Sequence, residues 1–303
     1  MDSKKIRKSI SRFFGWFGLV FSSLIIGAIP ARSIYGVARV LGFLGYRLAF
    51  KQRKIAQDSL DIAFGSDKSA AEKENIARDS FMRMAKSGVE VISLMDRPAL
   101  LESRVYLTGK ENLDRALAKG KGAILVSAHF GNFPLLLARL SLAGYKASGI
   151  MRPMRDERVE KIFLEKRERF KVKTIYSQPR TACVNQTVSA LRENGVVFIP
   201  LDQNFGTAGV FVDFFGLKAA TATGPIIFAQ RTGAALIPCF IIRKEDDRHE
   251  IIFEPAMELT EGKTPQETIQ ISIQRLTGII ESYIRKYPAE WGWIHRRWKS
   301  RPN

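Results

Sequence analysis

Cysteine is nearly absent from this 303-residue chain, and Cys183 and Cys239 both lie in apolar or neutral surroundings. That argues against a disulfide framework or a thiol nucleophile and suits reduced core residues of a cytoplasmic protein. No zinc-ligand spacing, RNA-binding aromatic signature or leucine heptad occurs, and there is no internal repeat, low-complexity tract or linker. Acid is also scarce: 30 Asp and Glu face 48 Lys and Arg, for a net charge of +18. Such a balance calls for an anionic partner, either an anionic membrane surface, an acidic carrier protein or nucleic acid. With no recognition motif beside the charge, nucleic acid is not the expected partner. The 46% hydrophobic and 10% aromatic content is ample for a buried core and excludes a disordered chain.

The N-terminus is built for lipid. An uncharged stretch from Phe13 to Pro30 lies between Lys4, Lys5, Arg7, Lys8 and Arg12 on one side and Arg32, Arg39, Arg47, Lys51, Arg53 and Lys54 on the other. Its length is close to the minimum for a membrane span. Because both flanks are basic, a shallow or re-entrant anchor is at least as good a reading as a single pass. A cleaved secretory signal, starting the mature chain near Ser33, is the rival. Residues 33–50, apolar with spaced arginines, suit an interfacial helix. The expected organisation is therefore a membrane-anchoring segment over 1–50 and a catalytic domain over 51–303.

Beyond it, Ser69-Ala-Ala-Glu72 forms a capping box ahead of a helical stripe through Ile76, Phe81, Met84 and Val91. Short apolar runs at 122–128, 145–151, 171–176, 195–201, 234–242 and 250–253 then alternate with helical segments at 133–143, 156–170, 181–194 and 224–232. This order predicts an α/β fold with a mainly parallel buried sheet flanked by helices. Thr264-Pro-Gln-Glu267 caps a last helix that ends before Pro288.

In such sheets ligands bind beyond the carboxyl ends of the strands. His129, Arg152 and Asp202-Gln203 each follow an apolar run, so a base, a cation and a carboxylate could face one cleft. Taken singly, each has a structural alternative: a packed histidine, a surface charge before Pro153, a loop cap. Phe205, Phe211, Phe214 and Phe215 could form an acyl groove or plain core. Lys218, Thr221 and Thr223 lead into a helix at Gly224 whose N-terminus suits a phosphate. Trp291, Trp293, Trp298, Arg296, Arg297 and Lys299 mix rings and cations as a membrane-interface or phosphate-contacting edge would, with tryptophan packing as the alternative. His249 and His295 read as structural. The charge-laced segment 156–170 reads as a solvated helix that could also receive an acidic acyl carrier.

Several of these residues fall into ordered blocks: Ala56 to Phe64, His129-Phe-Gly-Asn-Phe133, Arg152-Pro153, Asp202-Gln203, Phe214-Phe-Gly216 with Thr221, Thr223 and Gly224, and Trp293 to Lys299. Together they resemble the lipid A late acyltransferases, the lauroyl and myristoyl transferase family of the lysophospholipid acyltransferase-like superfamily, over nearly the whole chain. The resemblance implies a glycerolipid acyltransferase-like fold and an acyl carrier protein or acyl-CoA donor, with no bound cofactor or metal. It also implies a glycolipid or lysophospholipid hydroxyl as acceptor and a place on the cytoplasmic face of the inner membrane.

One departure stands out. The family carries an acid five residues after the histidine, and here that residue is Pro134. In the family's dyad the carboxylate holds one imidazole nitrogen while the other takes the acceptor's proton, and proline can do neither. Proline does fit a helix's first turn, with Asn132 as N-cap. Two expectations follow. Either His129 is the base and Asp202 orients it, with backbone N–H groups at Gly131 and Asn132 and help from Arg152 meeting the oxyanion, or the chain is a silent lipid-binding relative. Transfer to an amino group is the nearest chemical variant.

Overall fold

In the computed structural model, residues 3–29 and 33–302 are described; Pro30 and Arg32 of the N-terminal stretch lie outside them. The chain opens with four helices, α1 (Ser3–Ala28), α2 (Ile34–Leu48), α3 (Phe50–Phe64) and α4 (Ala70–Leu94), followed by α5 (Pro98–Arg104). The alternating part comprises β1 (Val105–Thr108), α6 (Lys110–Leu117), β2 (Ala123–Ser127), α7 (Phe133–Leu142), β3 (Ala147–Met151), α8 (Glu157–Arg169), β4 (Lys173–Tyr176), α9 (Arg180–Arg192) and β5 (Val196–Pro200). After these come β6 (Val210–Phe214), β7 (Leu217–Thr221), α10 (Gly224–Thr232), β8 (Ala235–Arg243), β9 (His249–Phe253) and α11 (Pro265–Lys286).

The main sheet has the order β1-β9-β8-β2-β5-β3-β4. Every neighbouring pair is parallel except β8 with β9, so the fold is the α/β class the sequence predicts. All five residues of β2 are buried because helices cover both faces of the sheet. Ile124 and Val126 pack on one face among residues of α3, α9, α10 and α11, and Ala123 and Leu125 on the other among residues of α5, α6 and α7. Such two-sided burial gives the continuous apolar runs read from the sequence.

The capping box at Ser69 and Glu72 is present, and Thr264 accepts the Glu267 N–H at the start of α11. One element departs from expectation. Residues 210–221 form an antiparallel hairpin whose turn, Phe215-Gly216, has positive φ at both positions (52° and 73°). That turn usually takes Asn-Gly or Asp-Gly. A phenylalanine holds the first position here because its ring is buried on Phe64 and Trp293 and its N–H donates to Glu281 Oε2 at 2.7 Å.

No helix among the described residues is long and apolar enough to cross a membrane. What α1 and α2 have is a two-sided character. α2 buries Ile34, Ala38, Gly42 and Tyr46, with Gly42 so close to α4 that a Cβ would meet the Met82 Cα at 2.9 Å. Val40, Leu41, Phe43, Leu44 and Leu48 face outward, as do Phe17, Phe21, Leu24 and Ile25 on α1.

Candidate active site

Strand register builds the centre of the site. β2 and β5 pair with Ser127 opposite Pro200, and continuing that alignment two residues past the strands sets His129 opposite Asp202. The alignment is preserved there because Leu201 N–H donates to the Ser127 carbonyl at 2.9 Å. His129 Nδ1 lies 2.8 Å from Asp202 Oδ1, the imidazole one-third exposed and the carboxylate fully buried. Trp291 Nε1–H donates to the other carboxylate oxygen at 2.8 Å. The carboxylate thus accepts from both partners, which places the His129 proton on Nδ1 and leaves Nε2 as the basic nitrogen. Gln203 Nε2 lies 3.3 Å from that atom and can donate to it.

These contacts set the protonation. Burial would raise Asp202, but the charge and hydrogen bond of His129, joined by His295 and the Trp291 N–H, hold it well below the usual carboxylate range. Burial would lower His129, but Asp202 outweighs it and keeps the imidazole above its ordinary value. His295 is pulled below its ordinary value by burial; its Nε2 faces the Asp202 carbonyl at 3.1 Å.

The loop from His129 to Asn132 is tied at every residue. Gly292 N–H donates to the His129 carbonyl at 3.2 Å, and Phe130 forms a β-bridge with Trp291. Gly131 N–H donates to the Glu290 carbonyl at 2.9 Å, and the Asn132 amide donates to Ser87 O and Glu90 Oε2 at 3.2 and 2.9 Å. Gly131 must be glycine, since its φ is +57° and a Cβ would fall 2.0 Å from the Ile241 carbonyl. Pro134 occupies the first turn of α7, where a missing N–H costs nothing.

Several expected roles need correction. The Gly131 N–H is spent on Glu290 and is not free for an oxyanion. Asn132 makes no side-chain cap, because its amide points back to α4. Arg152 is exposed at the end of β3, two strands from β2 and so about 10 Å across the sheet from the His129 position. Phe214 and Phe215 are core residues packed on Trp291, Trp293 and Trp298, so they do not line an open groove, whereas Phe205 is exposed. Gly216 is the hairpin turn and Lys218 pairs with Asp213 across that hairpin at 3.0 Å. Thr221 is buried, accepting from Arg297 Nη2 at 2.6 Å, while Thr223 precedes α10 without a side-chain cap. Arg297 is itself fully buried, donating to the Gln203 carbonyl at 3.1 Å and to that of Ala220, so it braces the 203–204 loop and cannot meet a lipid phosphate. Arg296 and Lys299 are exposed. The three tryptophans are buried, so packing prevails over an interfacial role.

Sequence reasoning missed Glu90 altogether. The one clue was an acid between Val89 and Val91 on a helix, both of which are buried.

Comparison with known proteins identifies the family. The model of the family described as bacterial lipid A biosynthesis acyltransferase matches residues 1–300. The chain belongs to that family. It is 28% identical over 301 residues to the lipid A biosynthesis palmitoleoyltransferase of Escherichia coli (strain K12), covering 95% of this chain and 91% of the relative. Identity to the lauroyltransferase of the same organism is 24%, over 95% and 92%. A phosphatidylinositol mannoside acyltransferase of Mycobacterium tuberculosis (strain CDC 1551 / Oshkosh) is 29% identical over 194 residues, 63% of this chain and 58% of the relative. As a member of the lipid A acyltransferase family, the chain is an acyltransferase. Among the described residues no group of His, Cys, Asp and Glu is arranged to hold a metal.

Proposed function

We propose that the chain moves a fatty acyl group from an acyl thioester, on acyl carrier protein or coenzyme A, to a hydroxyl of a lipid A-like glycolipid or lysophospholipid. The observation that carries this reading is the 2.8 Å contact of His129 Nδ1 with Asp202, which leaves Nε2 as a base on a partly exposed ring. It also favours turnover over a silent lipid-binding role, because a carboxylate holds the imidazole although residue 134 supplies none.

The acceptor hydroxyl displaces the Gln203 amide and gives its proton to His129 Nε2 as its oxygen attacks the thioester carbonyl. Asp202 steadies the imidazolium that forms. The developing oxyanion falls to the Phe133 N–H at the start of α7, since Pro134 has no N–H and Leu135 N–H donates to the Asn132 carbonyl at 3.0 Å, and to the positive end of that helix. When the tetrahedral intermediate collapses, the C–S bond breaks and the thiolate takes the proton from His129. No covalent enzyme intermediate is needed.

Localisation follows the same reading. The outward apolar faces of α1 and α2 lie in the interfacial region of the inner membrane on its cytoplasmic side, with residues 1–50 as anchor and 51–303 as catalytic domain, and Arg39, Arg47 and Lys51 beside anionic headgroups. The acidic carrier is drawn by the net charge of +18.

Mass spectrometry of lipids from cells lacking the chain tests the function. One acyl form of a membrane lipid should be missing, and the parent should restore it while His129→Ala should not. An unchanged lipid profile would refute the reading.

A further inference from the structure

Behind the His129 loop lies a buried ionic cluster that the reaction as drawn does not use. Its centre is Glu90 on α4, whose carboxylate is fully buried. Oε1 accepts from Tyr35 Oη at 2.9 Å and Arg243 Nη1 at 2.5 Å; Oε2 accepts from Arg243 Nη2 at 2.7 Å and Asn132 Nδ2 at 2.9 Å and lies 3.0 Å from His249 Nε2. Arg243 also reaches Asp247 at 3.3 Å, and its backbone N–H donates to Glu290 Oε1 at 3.1 Å. One carboxylate thus gathers α2, α4, β8, β9 and the loop before α7. Burial alone would raise it, but the bonds from His249 and Arg243 hold it below its ordinary range, so it stays ionised.

The imidazole has few contacts of its own to hold it. Besides Asp202 and Gln203 it meets the edge of Phe133, with ring centroids 5.5 Å apart. Its location therefore depends on the loop backbone, whose side-chain anchors are Phe130, buried against Phe240 and Tyr283, and Asn132, the polar one. A buried ion pair is a poor source of net stability, because desolvation offsets attraction, and fixing a unique geometry is the better-supported use of one.

We propose that Glu90 is a positioning residue of the transfer reaction: through Asn132 it fixes the loop that keeps His129 in register with Asp202. This rests on the reading of His129 as the base, and the test separates the two. Full-length parent, Asn132→Ala and Glu90→Gln are compared by NMR titration of the His129 imidazole and by steady-state transfer of a labelled acyl thioester. The facing groups are Asp202 and His295, both retained in every variant.

In Asn132→Ala, which keeps Glu90 with Arg243 and His249, the His129 midpoint should fall by at least about half a pH unit as the Asp202 bond loosens. Turnover should fall about 10- to 100-fold with KM within about twofold, as for a misplaced base. Glu90→Gln should repeat the pattern, and if it does not fold, Asn132→Ala decides alone. A folded Asn132→Ala whose His129 midpoint and turnover match the parent would overturn the proposal. A parent that transfers nothing would overturn the reading of the reaction, and the titration then decides the positioning by itself.

Discussion

Asp202→Asn is nearly isosteric, and its effect can be worked through atom by atom. Trp291 Nε1–H can only donate and lies 2.8 Å from Oδ2. It therefore selects the orientation in which the asparagine oxygen faces the indole and the NH2 faces His129. The amide then donates to Nδ1, the imidazole proton moves to Nε2, and the base has no lone pair to offer the acceptor. Turnover should drop by about 10⁴, the loss seen for the same exchange in the serine-protease triad, or about 5 kcal/mol of barrier. The pH dependence should change with it. Asp202 holds the His129 pKa up against burial, so without it the midpoint falls and the acid limb of kcat/KM moves to lower pH.

Stability follows by linkage. The depressed Asp202 pKa contributes stability above the unfolded-state value near 3.9, and that contribution is lost as pH falls through the folded value. The raised His129 pKa contributes below its unfolded value, near 6.5, and is lost as pH rises through the folded one. In Asp202→Asn the carboxylate slope should vanish and the His129 slope should reverse, because burial alone then holds the imidazole below its unfolded value, as measured by denaturant unfolding at a series of pH values. A variant that keeps turnover within tenfold of the parent, with an unmoved acid limb, would refute the reasoning.

Three further outcomes follow from the packing. Gly131→Ala should cost roughly 3 kcal/mol or more, because its Cβ would lie 2.0 Å from the Ile241 carbonyl; a melting temperature unchanged from the parent would contradict the clamp. Arg297→Lys should destabilise by about 2–4 kcal/mol, since an ammonium cannot reproduce the fork that serves Gln203, Ala220 and Thr221, and unfolding curves would show it. Replacing Phe21, Leu44 and Leu48 by serine should leave folding intact, as all three are exposed. It should weaken cosedimentation with anionic vesicles by roughly tenfold per residue; undiminished binding would remove the anchor from α1 and α2.

The parts of the fold that could be read from residues were those with two-sided burial. The apolar runs of β2, β3, β5 and β8 need no partner to be recognised, and the caps at Ser69 and Thr264 announce themselves locally. β1 was missed because Tyr106 is exposed and the strand is only four residues long. The 210–221 hairpin was missed because Phe-Gly is a turn only when the core holds the ring. His129 and Asp202 were legible as strand-end residues, and their meeting depends on the β2–β5 register, which no local pattern specifies. The roles given to Arg297, Thr221 and Gly131 failed for one reason: a cation, a hydroxyl and a glycine in polar segments suggest ligand contact, whereas here each satisfies a buried backbone or side-chain partner. Glu90 was hidden because its partners come from four separate segments.

The central claim is that His129, steadied by Asp202 in place of an acid at position 134, takes the acceptor's proton. The direct measurement is transfer of a labelled acyl group by purified parent and His129→Ala, each shown to be folded. The account predicts transfer by the parent and a loss of at least about 10³-fold in the variant. Comparable rates in the two would contradict it.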